Sequence, residues 1–300
     1  LRSLLQEIHS DLGSADAMVL TMTGELCDAF HDRAEGVAYI IDAVREAVPG
    51  IPLYAVDLDG RLVRLDGGEG DLLTIAATNW IAEARVLASR QPDCLMMDIG
   101  STTTDLIPIL DGKLAAQGKR DIERLARGEL IYTGALRTPV AAIVSQIPMR
   151  GVICRIAAEY FAISADVYLA LGRLKPEDYT CATPDGREKT KEGALRRLAR
   201  VACEDSTHLT AGELHALAAY IAEKQLQQIT EGMLHVLSRI ENGLRLSVVS
   251  VGIGAFLGEA CARRLTLTTC DPPALTDSGS VTLSPCAAAA YLLGQALSHG

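Results

Sequence analysis

Short apolar runs alternate with helical patterns along the first third of the chain. Residues 17–22 form the apolar run of a buried strand, and residues 33–48 place apolar side chains at helical spacing. Two strand patterns then flank the Asp59-Gly60 pair, which favours a tight hairpin turn, and residues 73–90 have the pattern of a second helix. Strand, helix, hairpin and helix in this order predict a layered α/β domain.

An antiparallel meander is predicted to open the second part of the chain. A buried strand at 94–99 leads through a tight loop to a strand at 105–110, and the Asp111-Gly112 pair turns the chain into a third strand. Mainly helical patterns follow, and a strand, a glycine-rich turn and a helix return from Ser247 onward.

These patterns predict an α/β fold with two domains. The first comprises residues 1–93 and is joined by the C-terminal helix at 284–300. The second comprises residues 94–283 and carries a helical insertion at about 120–240, in which a long helix begins at a capping-box pattern of Thr210 and Glu213.

The acidic composition narrows the classes of partner. With 28 Lys+Arg against 38 Asp+Glu, the formal charge of −10 repels phosphate backbones and anionic lipid surfaces, and no apolar run is long enough to cross a bilayer. The eight cysteines are scattered, without a CxxC pair for zinc or a dense disulfide framework. We expect a cytoplasmic protein that acts on small molecules, without nucleic-acid or membrane partners. A homodimer is among the assemblies that the sequence allows.

The first turn of the meander has the composition of a phosphate-binding loop. Gly100 permits close approach of the backbone, and the amides and hydroxyls of the next residues can converge on an anion; these residues are Ser101, Thr102, Thr103 and Thr104. Asp98 and Asp105 flank the loop, and carboxylates beside phosphate oxygens usually hold Mg²⁺, so we predict both as metal ligands. The alternative is a plain hairpin with a threonine-rich turn and two capping aspartates.

Two further segments are candidates for anion binding. Gly252 and Gly254 lie between a predicted strand and a helix N-terminus, a usual place for a phosphate, although a tight strand-to-helix turn explains them equally well. Arg137 and Thr138 precede a proline, and an arginine is suited to a bidentate phosphate or carboxylate contact. The alternative for Arg137 is an ion pair with an acid such as Glu129.

Other candidates are a pair of acids and an amide. Glu159 and Asp166 are seven residues apart on a predicted helix, hence on one face, where they can serve as general bases or metal ligands unless they are solvated or salt-bridged. Asn79, beside Trp80, is able to contact a ring-shaped substrate, although a core aromatic with a polar neighbour is the simpler interpretation.

Several stretches resemble known proteins. DIGSTTTDLIPILDGK resembles the second phosphate loop of the superfamily of sugar and acetate kinases, actin and heat-shock ATPases, and VGIGAFLGEA resembles its second-domain nucleotide turn. Six stretches in one order are similar to the hydantoinase/oxoprolinase-like proteins linked to tetrahydromethanopterin C1 metabolism: TMTGELCDAFHDRAEGV, TNWIAEA, DIGSTTTDLIPI, GELIYTGALRTPV, AAEYFAISADVYLALG and DYTCATPDG.

The resemblance implies both a fold and an activity. The implied fold has two ribonuclease H-like domains around a cleft, the actin-like ATPase superfold, although the first strand and first phosphate loop have no match here. Either this strand and loop were lost from the N-terminus, or the first phosphate loop is absent and phosphate binding rests on one loop rather than two. The implied activity is that of a methanofuran-biosynthesis transferase. It couples an aminomethylfuran methyl diphosphate to the phenol of γ-glutamyltyramine, or a related tyrosine-like acceptor, and releases diphosphate.

This activity gives roles to the candidate residues. The loop from Gly100 to Thr104, with Mg²⁺ at Asp98 and Asp105, would hold the diphosphate; Arg137 would clamp a phosphate or the glutamyl carboxylate. A carboxylate would accept the phenol proton, the candidates being Glu159, Asp166 and Glu25. Two rival functions stay open: an ATP-dependent kinase or oxoprolinase-like amide hydrolase, and a non-catalytic nucleotide-binding scaffold of a C1 pathway.

Overall fold

The computed structural model describes residues 1–13, 15–65, 71–275 and 282–299, and the chain divides into two packing units. The first unit contains Leu1–Asp93, Ile109–Asp121 and Pro272–Gly300, and the second contains Cys94–Pro108 and Ile122–Asp271. The division after Asp93 lies at the predicted domain boundary. Residues 109–121, which the sequence places in the second domain, belong to the first unit.

The first unit is built on a small mixed sheet. Its strands β1 and β2 are parallel, β2 and β3 are antiparallel, and Met18 pairs with Leu53. The strands and helices of this unit that precede residue 93, together with the C-terminal helix, are β1 (Met18–Leu20), β2 (Leu53–Val56), β3 (Leu62–Arg64), α1 (Arg2–Leu12), α2 (Arg33–Ala47), α3 (Asn79–Ala88) and α10 (Pro285–His299).

Helix α2 shows how local sequence fixes an element of this unit. Asp32 caps its first turn by accepting a hydrogen bond from the Glu35 N–H at 2.9 Å, and Glu35 accepts one in return from the His31 N–H at 2.7 Å. Val37 and Ile41, four residues apart, then face the core of the unit. The predicted helix at 33–48 is thus confirmed, whereas the helix predicted at 73–90 begins only at Asn79, after a single 3₁₀ turn.

A mainly buried sheet carries the second unit. Its strand order is β11-β10-β4-β5-β6, with β7 also paired to β5, and the central strands β10 and β4 are parallel. The predicted meander is confirmed as β4, β5 and β6, of which β6 lies in the first unit. The strands are β4 (Cys94–Ile99), β5 (Thr104–Leu110), β6 (Lys113–Leu114), β7 (Leu130–Ile131), β10 (Ser247–Val251) and β11 (Thr269–Cys270).

Helices pack around this sheet. The longest helix begins after Thr210, whose hydroxyl accepts a hydrogen bond from the Glu213 N–H. The Glu213 carboxylate in turn accepts a hydrogen bond from the Thr210 N–H, so the predicted capping box is confirmed. The helices are α4 (Asp121–Ala126), α5 (Val140–Ile143), α6 (Ser164–Ala170), α7 (Lys191–Val201), α8 (Ala211–Leu237) and α9 (Ala255–Arg264). In the described ranges, no helix combines the length and apolarity that a bilayer span requires.

One helical prediction is wrong. The predicted insertion contains an antiparallel hairpin, β8 (Gln146–Met149) with β9 (Val152–Arg155), and α6 starts only at Ser164. Glu159 therefore lies in an exposed bend before α6, and it does not share a helix face with Asp166. Residues 155–174 have apolar side chains at helical spacing in the sequence, but the structure forms no helix at 156–163, since short apolar runs do not fix the element type.

Candidate functional site

The loop between β4 and β5 is a tight turn whose carbonyl groups are tied back, which means that they accept hydrogen bonds from backbone N–H groups. The Gly100 N–H donates to the Thr103 carbonyl at 2.9 Å. The Gly100 carbonyl accepts from the Ala135 N–H at 2.9 Å, and the Ser101 carbonyl accepts from the N–H groups of Leu136 and Arg137 at 3.0 and 2.7 Å. Three loop carbonyls therefore already accept hydrogen bonds from backbone N–H groups.

The donors of the same loop remain open. Among the described residues, the backbone N–H groups of Ser101, Thr102 and Thr103 have no hydrogen-bond partner, and the three side chains are half-buried. The hydroxyls of Ser101 and Thr102 lie 3.4 Å apart. Consecutive free N–H groups with neighbouring hydroxyls form a concave donor surface, which suits an anion such as phosphate.

Residues 133–138, which we call the strap, form the wall behind the loop. A Cβ on Gly134 would lie 2.6 Å from the Thr102 nitrogen, so only glycine allows the strap to pack this closely. Thr138 accepts a hydrogen bond from the Gly134 N–H at 2.8 Å, and Thr104 donates to the Thr133 carbonyl at 2.8 Å. The hydroxyls of Thr104 and Thr138 are buried and take part in this packing, and direct contact of these two residues with a ligand stays a prediction.

Asp98 lies at the end of β4, next to the glycine-rich turn. It is paired in register with Val251, and Gly252 has φ +82°, a conformation that favours glycine. A Cβ on Gly252 would lie 2.6 Å from Asp98 Oδ1, and one on Gly254 would lie 2.3 Å from the Ile99 side chain. The structure thus brings Asp98, the loop and the turn together. Both glycines are also needed for close packing, because a Cβ at either position would clash with Asp98 or Ile99, and this agrees with the tight-turn interpretation.

Arg137 is exposed beside the loop. Glu129, the acid considered as its partner, is bound instead by Arg239 at 2.9 Å, and Arg137 has no ion-pair partner among the described residues. Its charge acts on the Tyr160 phenol and the Cys181 thiol: burial raises the pKa of both groups, and Arg137 lowers it in part. The backbone N–H of Arg137 is bound to the Ser101 carbonyl, and an exposed guanidinium without an ion-pair partner among the described residues is suited to hold an anion.

Asp105 has a structural partner. Arg124 Nη1 donates to its Oδ1 at 2.7 Å, the Arg124 side chain is buried, and the neighbouring Nη2 donates to the Glu129 carbonyl at 3.0 Å. The carboxylate is therefore neutralised by an ion pair. No group of three acidic, histidine or cysteine side chains in the described ranges has the geometry of a metal site.

Asp166 is also structural. It is fully buried, Arg197 Nε donates to its Oδ1 at 2.8 Å, Tyr179 donates to the same oxygen at 3.1 Å, and the Ile163 N–H donates to Oδ2 at 3.1 Å. Burial raises its pKa and these hydrogen bonds, led by Arg197, oppose the rise. The alternative of a salt-bridged acid is the one that the structure supports.

Two candidates lie in the first unit. Glu25 follows β1, is 97% buried, and accepts a hydrogen bond from the Ala77 N–H at 3.0 Å, whereas its Oε2 has no partner in the described part of the chain. Ala77, at φ +53°, precedes α3, whose first residue is the half-buried Asn79. Glu25 is thus a buried carboxylate whose Oε2 has neither a hydrogen-bond partner nor solvent access among the described residues.

Sequence reasoning missed the residue that connects the strap to α8. Gln225 is fully buried, and its Nε2 donates to Thr133 Oγ1 and to the Gly134 carbonyl, both at 2.8 Å. The signal was present, because Gln225 interrupts the apolar stripe of α8 between Ile221 and Ile229. A polar side chain at a core position usually has a specific partner.

Fold and site define a class: an α/β protein in which a β-hairpin turn presents consecutive N–H groups that have no partner among the described residues. Residues 16–293 match the family model described as hydantoinase/oxoprolinase. The chain belongs to the hydantoinase/oxoprolinase family.

Curated relatives give the family a chemical context. A protein of Methanocaldococcus jannaschii named "(4-{4-[2-(gamma-L-glutamylamino)ethyl]phenoxymethyl}furan-2-yl)methanamine synthase" is 38% identical over 255 residues, which cover 85% of this chain and 75% of the relative. A protein of Methanococcus vannielii with the same name is 39% identical over 162 residues, which cover 54% of this chain and 71% of the relative.

A solved structure shows the same fold at low identity. The nucleotide-free structure of acetone carboxylase, an enzyme of ATP-dependent acetone carboxylation, aligns with a TM-score of 0.53 at 14% identity. The alignment covers 77% of this chain and 34% of that chain, so this protein spans about a third of its length. The likeness concerns the fold alone.

Proposed function

We propose that the protein is a transferase that couples a furanylmethyl group to the phenol oxygen of γ-glutamyltyramine or a related acceptor, with diphosphate as the leaving group. The observation that carries the proposal is the loop at Ser101–Thr103, whose open N–H groups and tied-back carbonyls suit a polyanion. The names of the two relatives describe a product that contains this phenoxymethylfuran linkage.

The bond changes assign tasks to the residues. The bond between the furan methylene carbon and the diphosphate oxygen breaks, the electron pair leaves with the diphosphate, and the phenol oxygen bonds to the carbon. Because negative charge grows on the leaving oxygen, N–H donors aimed at the diphosphate stabilise the transition state more than the ground state. The furan ring stabilises the positive charge that develops at the methylene carbon, so departure of the diphosphate is the step that the loop assists.

The phenol proton goes to a carboxylate. Of the three candidates, Glu159 is an exposed acid in the packing unit that holds the loop, Asp166 of that unit is neutralised by Arg197, and Glu25 is buried in the other unit.

Mg²⁺ fits this site through one protein carboxylate. Asp98 lies at the end of β4, two residues before Gly100, and Asp105 is bound by Arg124. Mg²⁺ commonly binds one or two carboxylates and completes its shell with water and substrate phosphate oxygens, so Asp98 alone suffices. When bound, the ion would neutralise charge on the diphosphate.

The two packing units fit the fold implied by the family. We propose that each unit corresponds to one ribonuclease H-like domain of the actin-like ATPase superfold. The mixed sheet of the second unit, with parallel β4 and β10 and the antiparallel meander, supports this assignment. The fold alone does not select the chemistry, because one fold serves many reactions.

An ATP-dependent enzyme is the second candidate. The turn at Gly252–Gly254 enters the N-terminus of α9 next to Asp98, a place where nucleotide phosphates often bind. A kinase or an amide hydrolase of this type would bind ATP and release ADP, whereas the transferase would do neither.

Ligand binding separates the two candidates. We expect isothermal titration with Mg²⁺ to show binding of inorganic diphosphate and of a furfuryl diphosphate analogue, with thermal stabilisation that grows with ligand concentration. ATP is expected to bind at least about tenfold more weakly, which corresponds to about 1.4 kcal/mol. A strong ATP response without any diphosphate response would reject the transferase in favour of the ATP-dependent enzyme.

Arg137 offers a test of which anion the site clamps. Replacement by alanine is expected to raise the dissociation constant of diphosphate about tenfold or more, because a charge-assisted contact is lost. Steady-state kinetics of Arg137→Ala would show whether KM rises for the diphosphate substrate or for the glutamyl acceptor. Arg173, exposed in the same unit, is the matched control, and Arg173→Ala is expected to leave both values unchanged. Equal affinities in the two variants would remove Arg137 from the site.

A further inference from the structure

The strap is a mainly buried segment whose backbone N–H and carbonyl groups are not paired within a regular helix or strand of its own. Its residues Thr133–Leu136 are buried and irregular, and buried backbone groups need hydrogen-bond partners. The N–H groups of Ala135, Leu136 and Arg137 donate hydrogen bonds to the loop carbonyls, and the Thr133 carbonyl accepts one from the Thr104 hydroxyl. The Gly134 carbonyl receives its short contact, 2.8 Å, from the Gln225 side chain of α8.

The Gln225 side chain is itself held in place. Tyr168 of α6 donates to Gln225 Oε1 at 2.6 Å, which fixes the amide so that Nε2 faces the strap. Nε2 then uses both of its hydrogens, one on Thr133 Oγ1 and one on the Gly134 carbonyl. Gln225 and Tyr168 are buried, with exposures of 0% and 2%, so water does not compete for these bonds.

We propose that Gln225, oriented by Tyr168, is a positioning residue for the anion-binding loop. The chain of contacts runs from Gln225 to Gly134, along the strap to the N–H groups of Leu136 and Arg137, and from them to the Ser101 carbonyl. By holding the strap, Gln225 keeps the Ser101 carbonyl bound to the N–H groups of Leu136 and Arg137, and thus turned away from the anion. This inference rests on the proposed function of the loop.

Methionine at position 225 tests the inference, because it keeps the approximate volume and removes all three hydrogen bonds. Gln228, one turn later on α8, is the matched control: its Nε2 donates to the Ile143 carbonyl at 3.2 Å, away from the strap. We expect Gln225→Met to bind inorganic diphosphate about 10- to 100-fold more weakly than the unchanged protein. Gln228→Met is expected to stay within about twofold of the unchanged protein, since it loses one partly exposed hydrogen bond.

Amide hydrogen exchange gives a readout that needs no ligand. In Gln225→Met the Leu136 and Arg137 amides, which donate to Ser101, are expected to exchange faster, while those of the α8 interior keep their protection. Uniformly faster exchange, or unchanged exchange at these two amides, would overturn the inference. Exchange that changes as expected in a protein that binds no diphosphate would reject the proposed function and leave the positioning role standing.

Tyr168→Phe covers the case in which Gln225→Met does not fold. This variant removes only the bond to Gln225 Oε1 and keeps both contacts to the strap. We expect it to weaken diphosphate binding less than Gln225→Met does, about two- to tenfold, with an intact thermal transition. Diphosphate affinity and exchange that both equal those of the unchanged protein would overturn the role of Tyr168 and the orientation argument.

Discussion

Asp98→Asn is expected to lower kcat for diphosphate release at least about 100-fold, because the site loses the carboxylate that would hold the Mg²⁺ beside the leaving group. Asparagine keeps the shape of the side chain against Gly252, so the fold should persist. Steady-state kinetics with detection of released diphosphate measures the loss, and a thermal-unfolding curve verifies the folded state.

A control variant at a second acid shows whether the effect of Asp98→Asn comes from this particular carboxylate or from the loss of one negative charge. Glu259 is exposed on α9 in the same unit and pairs with Arg263 at 3.6 Å. Glu259→Gln removes one charge from the same acidic protein, and kcat is expected to stay within about twofold, since exposed pairs contribute little. If Asp98→Asn retains the turnover of Glu259→Gln, the scheme in which Asp98 serves the diphosphate is wrong.

Arg197→Met should have the largest effect on stability, a loss of about 3–5 kcal/mol in the free energy of unfolding. Arg197 and Asp166 are both 0% exposed, so removal of the guanidinium leaves a buried carboxylate without a counter-charge. Chemical denaturation would measure the loss. The comparison is Arg200→Met, which removes a contact to Asp185 at 3.2 Å from a side chain that is 39% exposed and is expected to cost about 1 kcal/mol or less.

The stability deficit of Arg197→Met should depend on pH. Burial raises the pKa of Asp166, and the largest opposing influence is Arg197, so the variant raises this pKa further. A folded-state pKa above the unfolded value, about 3.9, stabilises the fold at low pH, and this stabilisation is lost as pH rises through the folded pKa. The deficit should therefore be larger at pH 7 than at pH 5. An equal deficit at both values would mean that the carboxylate finds another partner.

Most elements could be predicted from periodicity and turn chemistry. Asp59-Gly60 and Asp111-Gly112 both form turns in which the glycine has a positive φ, +77° and +70°, as such pairs favour. The parallel pairing of β10 with β4 could not be predicted in the same way, because a pairing between Ser247 and Cys94 depends on tertiary packing and leaves no local pattern.

The candidate site was predictable in part. The composition of the loop after Gly100 favours an anion site, since a glycine followed by hydroxyl residues can present several donors at one turn, although the same residues also occur in plain hairpin turns. The sequence did not distinguish open donors from used ones: Thr103 and Thr104 are neighbours of the same type, yet only the Thr104 hydroxyl is buried against Thr133. Partners such as Arg124 for Asp105 are set by folding and cannot be counted along the chain.

The tied-back carbonyls of the loop have a thermodynamic consequence. Since hydrogen bonds from the strap hold the Gly100 and Ser101 carbonyls, an anion bound as we propose would not have to order the backbone that receives it. Little conformational entropy is lost at that moment, and the interaction energy of the donors goes almost entirely into affinity. Encounter of the two molecules, rather than rearrangement of the protein, then limits the association rate at this loop.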